Sequence, residues 1–271
     1  MPQKSYVVEA LRKAQLLELL SKGTRLDGRA LDQVRNIEIQ TGLIEKANGS
    51  AMVSLGKTQV IAGVMIDKGT PFPDTPDKGL LIVGAEVLPM AASYVEAGPP
   101  DEKAIELARV VDRGVRESEM IDVSNLVIKE GKFVYAVFVD VNVLNVDGNL
   151  FDATNYAVVS ALLTANMPEF VLDGDTVKNT GRKMPVPVSK VPVSLTMASI
   201  NGMLVADPTS EEEGVMDARI TLTTVDDGNI CAGQKGEPGS LTQEQILTAA
   251  DWAILRGNEI RAKIKEATHR A

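Results

Sequence analysis

The sequence predicts an α+β or mixed α/β fold in which two halves, each of strands backed by helices, pack their sheets together. Three observations carry this. Short runs rich in β-branched residues alternate polar and apolar side chains, and they gather in two places, before residue 146 and after residue 192. Stretches with helical spacing, near residues 100–118, 151–166 and 241–266, interrupt or follow those runs. Between the two groups, Pro168–Pro192 carries four prolines and two glycines, which reads as a connection between halves.

The elements follow in order. Ser5–Ser21 places Val8, Leu11, Leu16, Leu19 and Leu20 near helical spacing, with Gly23 as a stop. Thr24–Arg29 is then a polar turn. Arg35–Thr41, Ala51–Leu55 and Gln59–Ile66 form an antiparallel meander with tight turns between them. Asp67–Gly79, with three prolines and two glycines, is an exposed loop, and Leu80–Leu88 is a further strand. Pro100–Ser118 is an amphipathic helix. Val134–Leu144 is the clearest strand, with Asp140 and Asn142 on its polar face and a turn at Val146-Asp147-Gly148. Phe151–Asn166 is a helix of mostly small, apolar residues and therefore buried. Beyond the connection, Val193–Ala198, Met203–Ala206 and Arg219–Thr224 are strands, and Asp226–Asn229 is a turn. Leu241–Glu266 is a long helix capped by Ser240 with Glu244 in its first turn. The implied division is an arm at 1–30, a first domain at 31–167, a connection at 168–192 and a second domain at 193–271.

Composition removes whole classes of chemistry. With 271 residues, 44% hydrophobic and 24% charged, the chain has the make-up of a soluble globular protein, and no apolar run of about 18 residues suggests a membrane span. The charged, amphipathic N-terminal stretch does not resemble a signal peptide, so a cytoplasmic location is expected. The lone Cys231 excludes an internal disulfide and a cysteine-rich zinc site, and it reads as a small buried residue. The lone His269 leaves little material for histidine-based catalysis. A net charge of -9 repels nucleic acid from the molecule as a whole, so any polyanion must bind locally or with a more basic partner.

Two constellations remain. On the helix at 100–118, Arg109, Arg113 and Arg116 share one face while Ala104, Ala108, Val111 and Val115 share another. Glu106, three before Arg109, and Asp112, four before Arg116, allow a solvated salt-bridge face; guanidinium forks equally suit a row of phosphates. The second constellation is acidic: Asp207, Glu211, Glu212, Glu213 and Asp217 read either as a carboxylate cluster for a divalent cation or as a solvated acidic loop without regular ligand spacing. Neither GxGxxG after a strand nor GxxxxGK[ST] occurs.

The segments Arg25-Leu-Asp-Gly-Arg29 and Gly49-Ser50 through Gly56-Lys-Thr58 resemble the signatures of the RNase PH family. ELARVVDRGVRES, VDVNVLNVDGN and ADPTSEEEGVMDARITLTT resemble, within it, the catalytically silent ring subunits of archaeal exosomes. The resemblance implies an RNase PH-like fold (ribosomal protein S5 domain 2-like) of two βαβα halves. It implies a heterodimer with an active RNase PH-like sister subunit, three such pairs closing a hexameric ring, RNA-binding cap subunits, and single-stranded RNA degraded from its 3′ end with inorganic phosphate. It also implies that Arg109 and Arg113, and less directly Arg116, bind RNA. Two features depart from active members. Where they carry an arginine after a Gly-Thr or Gly-Ser turn at a phosphate-holding helix N-terminus, this chain has Phe151; and of two acidic residues six apart, Asp217 matches the second while the first falls near Glu213, four before it. The resemblance therefore implies no catalytic and no metal-binding residue in this chain, with phosphate and Mg²⁺ acting elsewhere in the complex. The alternative is an autonomous RNase PH-type phosphorolytic exoribonuclease using Glu213 and Asp217.

Overall fold

A computed structural model describes residues 14–93, 95–96 and 98–269. The first half is a six-stranded sheet ordered β1 (Ile37–Thr41), β2 (Gly49–Leu55), β3 (Thr58–Gly69), β6 (Phe133–Asn145), β4 (Leu80–Val87), with β5 (Val127–Lys129) also paired to β6. The first three strands form the antiparallel meander that the alternation predicts. By contrast β4 runs parallel to β6, because the chain between them crosses over through helix α2 (Glu102–Glu117).

Helix α3 (Leu150–Leu163) is the centre of the molecule. Every residue from Phe151 to Leu163 is buried, as expected of a helix apolar on all sides, and it packs on β2, β3 and on β9 (Val193–Ile200) of the second half. Gly49 permits the close approach of β2: a Cβ there would fall 2.4 Å from the Ala161 carbonyl oxygen. The second sheet, ordered β10 (Met203–Ala206), β9, β11 (Ala218–Thr224), β12 (Ile230–Gly236), is antiparallel throughout. All eight residues of β9 are buried, since α3 and the long helix α5 (Gln243–Ala267) both pack against this strand. Helix α1, residues 14–21, sets Leu16 and Leu20 on Ala198, Ile200 and Val205, and each such leucine contributes about 1.5–3 kcal/mol. It ends at Gly23, whose φ of +73° turns the chain where only glycine is unstrained. The part of the predicted helix from Ser5 to Lys13 lies outside the described residues.

Several expectations are corrected. The connection at 168–192 contains an antiparallel hairpin, β7 (Asn166–Asp173) and β8 (Thr176–Pro185), with Pro168 beside a register shift and Pro185 at a strand end, where a missing N–H is tolerated. The loop expected from Asp67 begins only after Gly69, where β3 leaves β6. Helix α5 is capped not by Ser240 but by Thr242, whose hydroxyl accepts from the Gln245 N–H while the Gln245 side chain accepts from the Thr242 N–H. Strand β12 was not expected, because its glycines mask the pattern; pairing with β11 makes it a strand. Among the described residues no helix is long and apolar enough to cross a membrane.

Candidate nucleic-acid interface

Helix α2 starts at Asp101, whose carboxylate accepts from the Ala104 N–H at 2.8 Å, and ends at Ser118, whose hydroxyl donates to the Val115 carbonyl. Ala104, Leu107, Val111, Gly114 and Val115 face inward, which turns Arg109, Arg113 and Arg116 to solvent on one side. The three are not equivalent. Arg116 pairs with Asp112 at 2.8 Å, as its spacing predicts, and also donates to the Leu81 carbonyl. Arg113 donates to the Gln234 side-chain carbonyl of β12 at 3.1 Å. For Arg109 the intrahelical pairing with Glu106 that the spacing allows does not form: Glu106 instead accepts from Arg219 at 2.6 Å, and among the described residues Arg109 has no hydrogen-bond or ion-pair partner. Arg109, Arg113 and Gln234 line an open depression of about 340 Å³ together with Ile105, Val110 and the acidic residues Glu102 and Glu106.

The acidic run divides: Asp207 and Glu212 are buried, Glu213 is partly buried, and Glu211 and Asp217 are exposed. Asp207 is fully buried with φ +49°, and its carboxylate accepts from Arg29 at 2.9 Å, from Arg35 at 2.7 and 2.8 Å, and from Asn149 at 2.7 Å. Burial pushes the Asp207 pKa up, but the hydrogen bond and charge of Arg35 and the charge of Arg29 outweigh it and hold the group below the ordinary carboxylate value. Glu212, on the short helix α4 (Ser210–Glu213), is buried against Arg25, which also donates to the carbonyls of Ala206 and Asp207. Thus Arg25 and Arg29, expected to lie in a polar turn, reach across to clasp the second half. Among the described residues no three acidic, histidine or cysteine side chains stand where they could hold a metal ion.

The turn before α3 is closed in the same way. Gly148 has φ +79°, and a Cβ there would lie 2.5 Å from the Thr209 carbonyl carbon. Asn149 follows with φ +51° and caps α3; its backbone N–H donates to Glu213 at 2.8 Å. Burial raises the Glu213 pKa, against the opposing N–H of Asn149 and the charges of Arg219 and Arg35. Phe151 is buried beneath Arg219, whose guanidinium carbon is 4.1 Å from the ring centroid. Asp217, by contrast, is exposed and its carboxylate accepts from the Asn201 N–H at 2.7 Å, holding the turn between β9 and β10. Glu213 and Asp217 are therefore each engaged by a different turn. Cys231 is half-buried on β12, its thiol directed at the Thr223 carbonyl.

Sequence reasoning missed Arg35, Arg219 and Gln234. Arg35 precedes β1 and Arg219 is the second residue of β11, each with partners far away in sequence, and Gln234 sits on the strand that the glycines conceal. Arg219 offered one signal, a cation in the otherwise apolar and threonine-rich run of β11.

The chain matches the 3′ exoribonuclease family, domain 1, over residues 33–168 and domain 2 of the same family over residues 190–255. It is 47% identical over 263 residues to the exosome complex component Rrp42 of Thermococcus onnurineus, covering 96% of this chain and 97% of that protein. To the component of the same name from Thermoplasma acidophilum it is 46% identical over 261 residues, covering 96% and 98%. A chain of the Archaeoglobus fulgidus exosome with RNA bound to the active site superposes with a TM-score of 0.88 at 41% identity, over 96% of this chain and 100% of that one. A chain of an archaeal exosome core gives 0.85 at 40% identity, over 98% and 100%. With both domains matched in order on the fold described, this chain belongs to the RNase PH family of 3′ exoribonucleases.

Proposed function

We propose that the chain is a non-catalytic ring subunit of an archaeal-type exosome that guides single-stranded RNA toward the active site of an RNase PH-like sister chain. In this reading the two chains pair, three pairs close a hexameric ring, and RNA-binding caps sit on it. Inorganic phosphate and Mg²⁺ act at the sister's site, and this chain holds no cofactor. The observation that carries the reading is the state of Arg109 and Arg113: exposed, one turn apart, with no carboxylate paired to either among the described residues. On a molecule of net charge -9, unpaired neighbouring guanidiniums are a local attraction for phosphate oxygens. Arg116 stands at the edge of this row with most of its donors already engaged. The absence of catalysis is supported by Phe151, which puts an apolar ring under Arg219, and by the diverging commitments of Glu213 and Asp217.

Replacing Arg109→Glu together with Arg113→Glu tests it. The ring is expected to assemble, bind RNA more weakly and degrade it more slowly, with the deficit shrinking as salt rises. Each lost phosphate contact should flatten the slope of log affinity against log salt by about 0.7. An intact ring that binds and degrades RNA normally would return both arginines to an ordinary solvated face.

A further inference from the structure

Glu106 lies three residues before Arg109 on α2, the spacing at which a carboxylate and a guanidinium normally meet. It is turned instead to Arg219, with its Oε1 2.6 Å from Nη2. Arg219 has little freedom to be elsewhere. Its guanidinium rests 4.1 Å over the Phe151 ring on one contact, and on another it lies against Gly236, its partner in the β11–β12 ladder, where a Cβ would come within 2.4 Å of Nη2. Arg219 is 7% exposed and its Nε makes no hydrogen bond, so its place is set by the ring, the glycine and Glu106 together.

We propose that Phe151, Arg219 and Glu106 form a positioning relay: the Phe151 ring seats Arg219, Arg219 draws Glu106 away from Arg109, and Arg109 is thereby left free to meet an RNA phosphate. The inference rests on the reading of Arg109 as an RNA contact and adds what keeps that contact available. It gives a use to three side chains in this region that the RNA row itself does not employ, and it makes Gly236 part of the same arrangement. None of the three touches RNA; they act through Arg109.

The test compares RNA affinity of the full chain in its native assembly, with a single-stranded oligoribonucleotide as probe, between the wild type and a set of variants. Arg219→Gln releases Glu106 to pair with Arg109, and RNA binding should weaken about two- to five-fold, the range an exposed ion pair can contribute. The salt slope should fall by about 0.7, the loss of one phosphate contact. Adding Glu106→Gln to Arg219→Gln removes the competitor, and affinity should return to that of the wild type. A merely structural role for Arg219 would not be rescued in this way. Should Arg219→Gln fail to fold, Phe151→Leu loosens Arg219 without removing it and should show the same weakening and the same rescue. A double variant as weak as Arg219→Gln, or Arg219→Gln binding normally while Arg109→Gln is impaired, overturns the relay and leaves the RNA row standing. Normal binding by Arg109→Gln overturns both, since there is then no contact for the relay to free.

Discussion

Asp207 shows how much of this molecule depends on single buried charges. Its carboxylate is the common acceptor for Arg29, Arg35 and Asn149, three groups brought from the arm, the approach to β1 and the turn before α3. Breaking a buried ion pair strands the remaining charge, so Asp207→Asn should lower stability by about 3–5 kcal/mol in chemical denaturation. A loss below about 1 kcal/mol would mean that the arginines find other acceptors. Because the Asp207 pKa is below its ordinary value, its stabilisation is present above about pH 4 and disappears as acid titrates it. Asp152 has the opposite sign. It is fully buried, accepting from Asn149 and from the backbone and hydroxyl of Thr196, and burial pushes its pKa up to about 7. The folded chain therefore keeps a proton that the unfolded chain releases near pH 4, and stability should decline between about pH 4 and 7 by up to about 1.4 kcal/mol per unit. Asp152→Asn should flatten that decline; an unchanged profile would show that Asp152 is already ionised when folded. Asp217→Asn, which removes only an exposed turn contact, should leave activity of the assembled complex within a few-fold of the wild type. Equal loss to that from a catalytic aspartate of the sister chain would overturn the reading of this carboxylate as a turn contact only. The arginine row could be read from spacing alone, since the helical period fixes which side chains share a face. The partners of Asp207 could not, because 172 and 178 residues separate it from Arg35 and Arg29 and no local period spans that distance.

At the scale of elements, strong periodicity was a reliable guide and glycine or proline a poor one. The meander, α2, β6 and α3 follow their apolar patterns closely, because each pattern is imposed by one buried face or by complete burial. The hairpin β7–β8 and strand β12 were hidden, because their prolines and glycines read as breakers although ladder partners nearby hold the chain extended. The cap of α5 lies two residues beyond Ser240 for a related reason: Ser240 is a good capping residue, but only Thr242 has Gln245 three residues on to complete the reciprocal pair. Thr242→Ala should accordingly cost about 1 kcal/mol in thermal or chemical unfolding, while Ser240→Ala costs much less. Equal costs would place the functional cap where the sequence reading had it.

For the whole molecule, the two-half α+β architecture and the family resemblance were both available from the sequence, and the matches to both family domains agree with them. What the sequence did not contain was the interlock of the halves: α3 lies between the sheets, and Arg25, Arg29 and Arg35 reach the acidic run that seemed a free loop. That interlock consumes Asp207 and Glu212, while Glu213 and Asp217 are each held by a separate turn, and these commitments support the proposal that the chain guides RNA rather than cutting it. The measurement that bears most directly on this is reconstitution. The purified chain, given 3′-overhanging RNA, phosphate and Mg²⁺, should release no nucleoside diphosphate, and addition of an RNase PH-like sister chain should yield a six-membered ring that does. Robust diphosphate release by the chain alone would contradict the account and establish it as an autonomous phosphorolytic exoribonuclease.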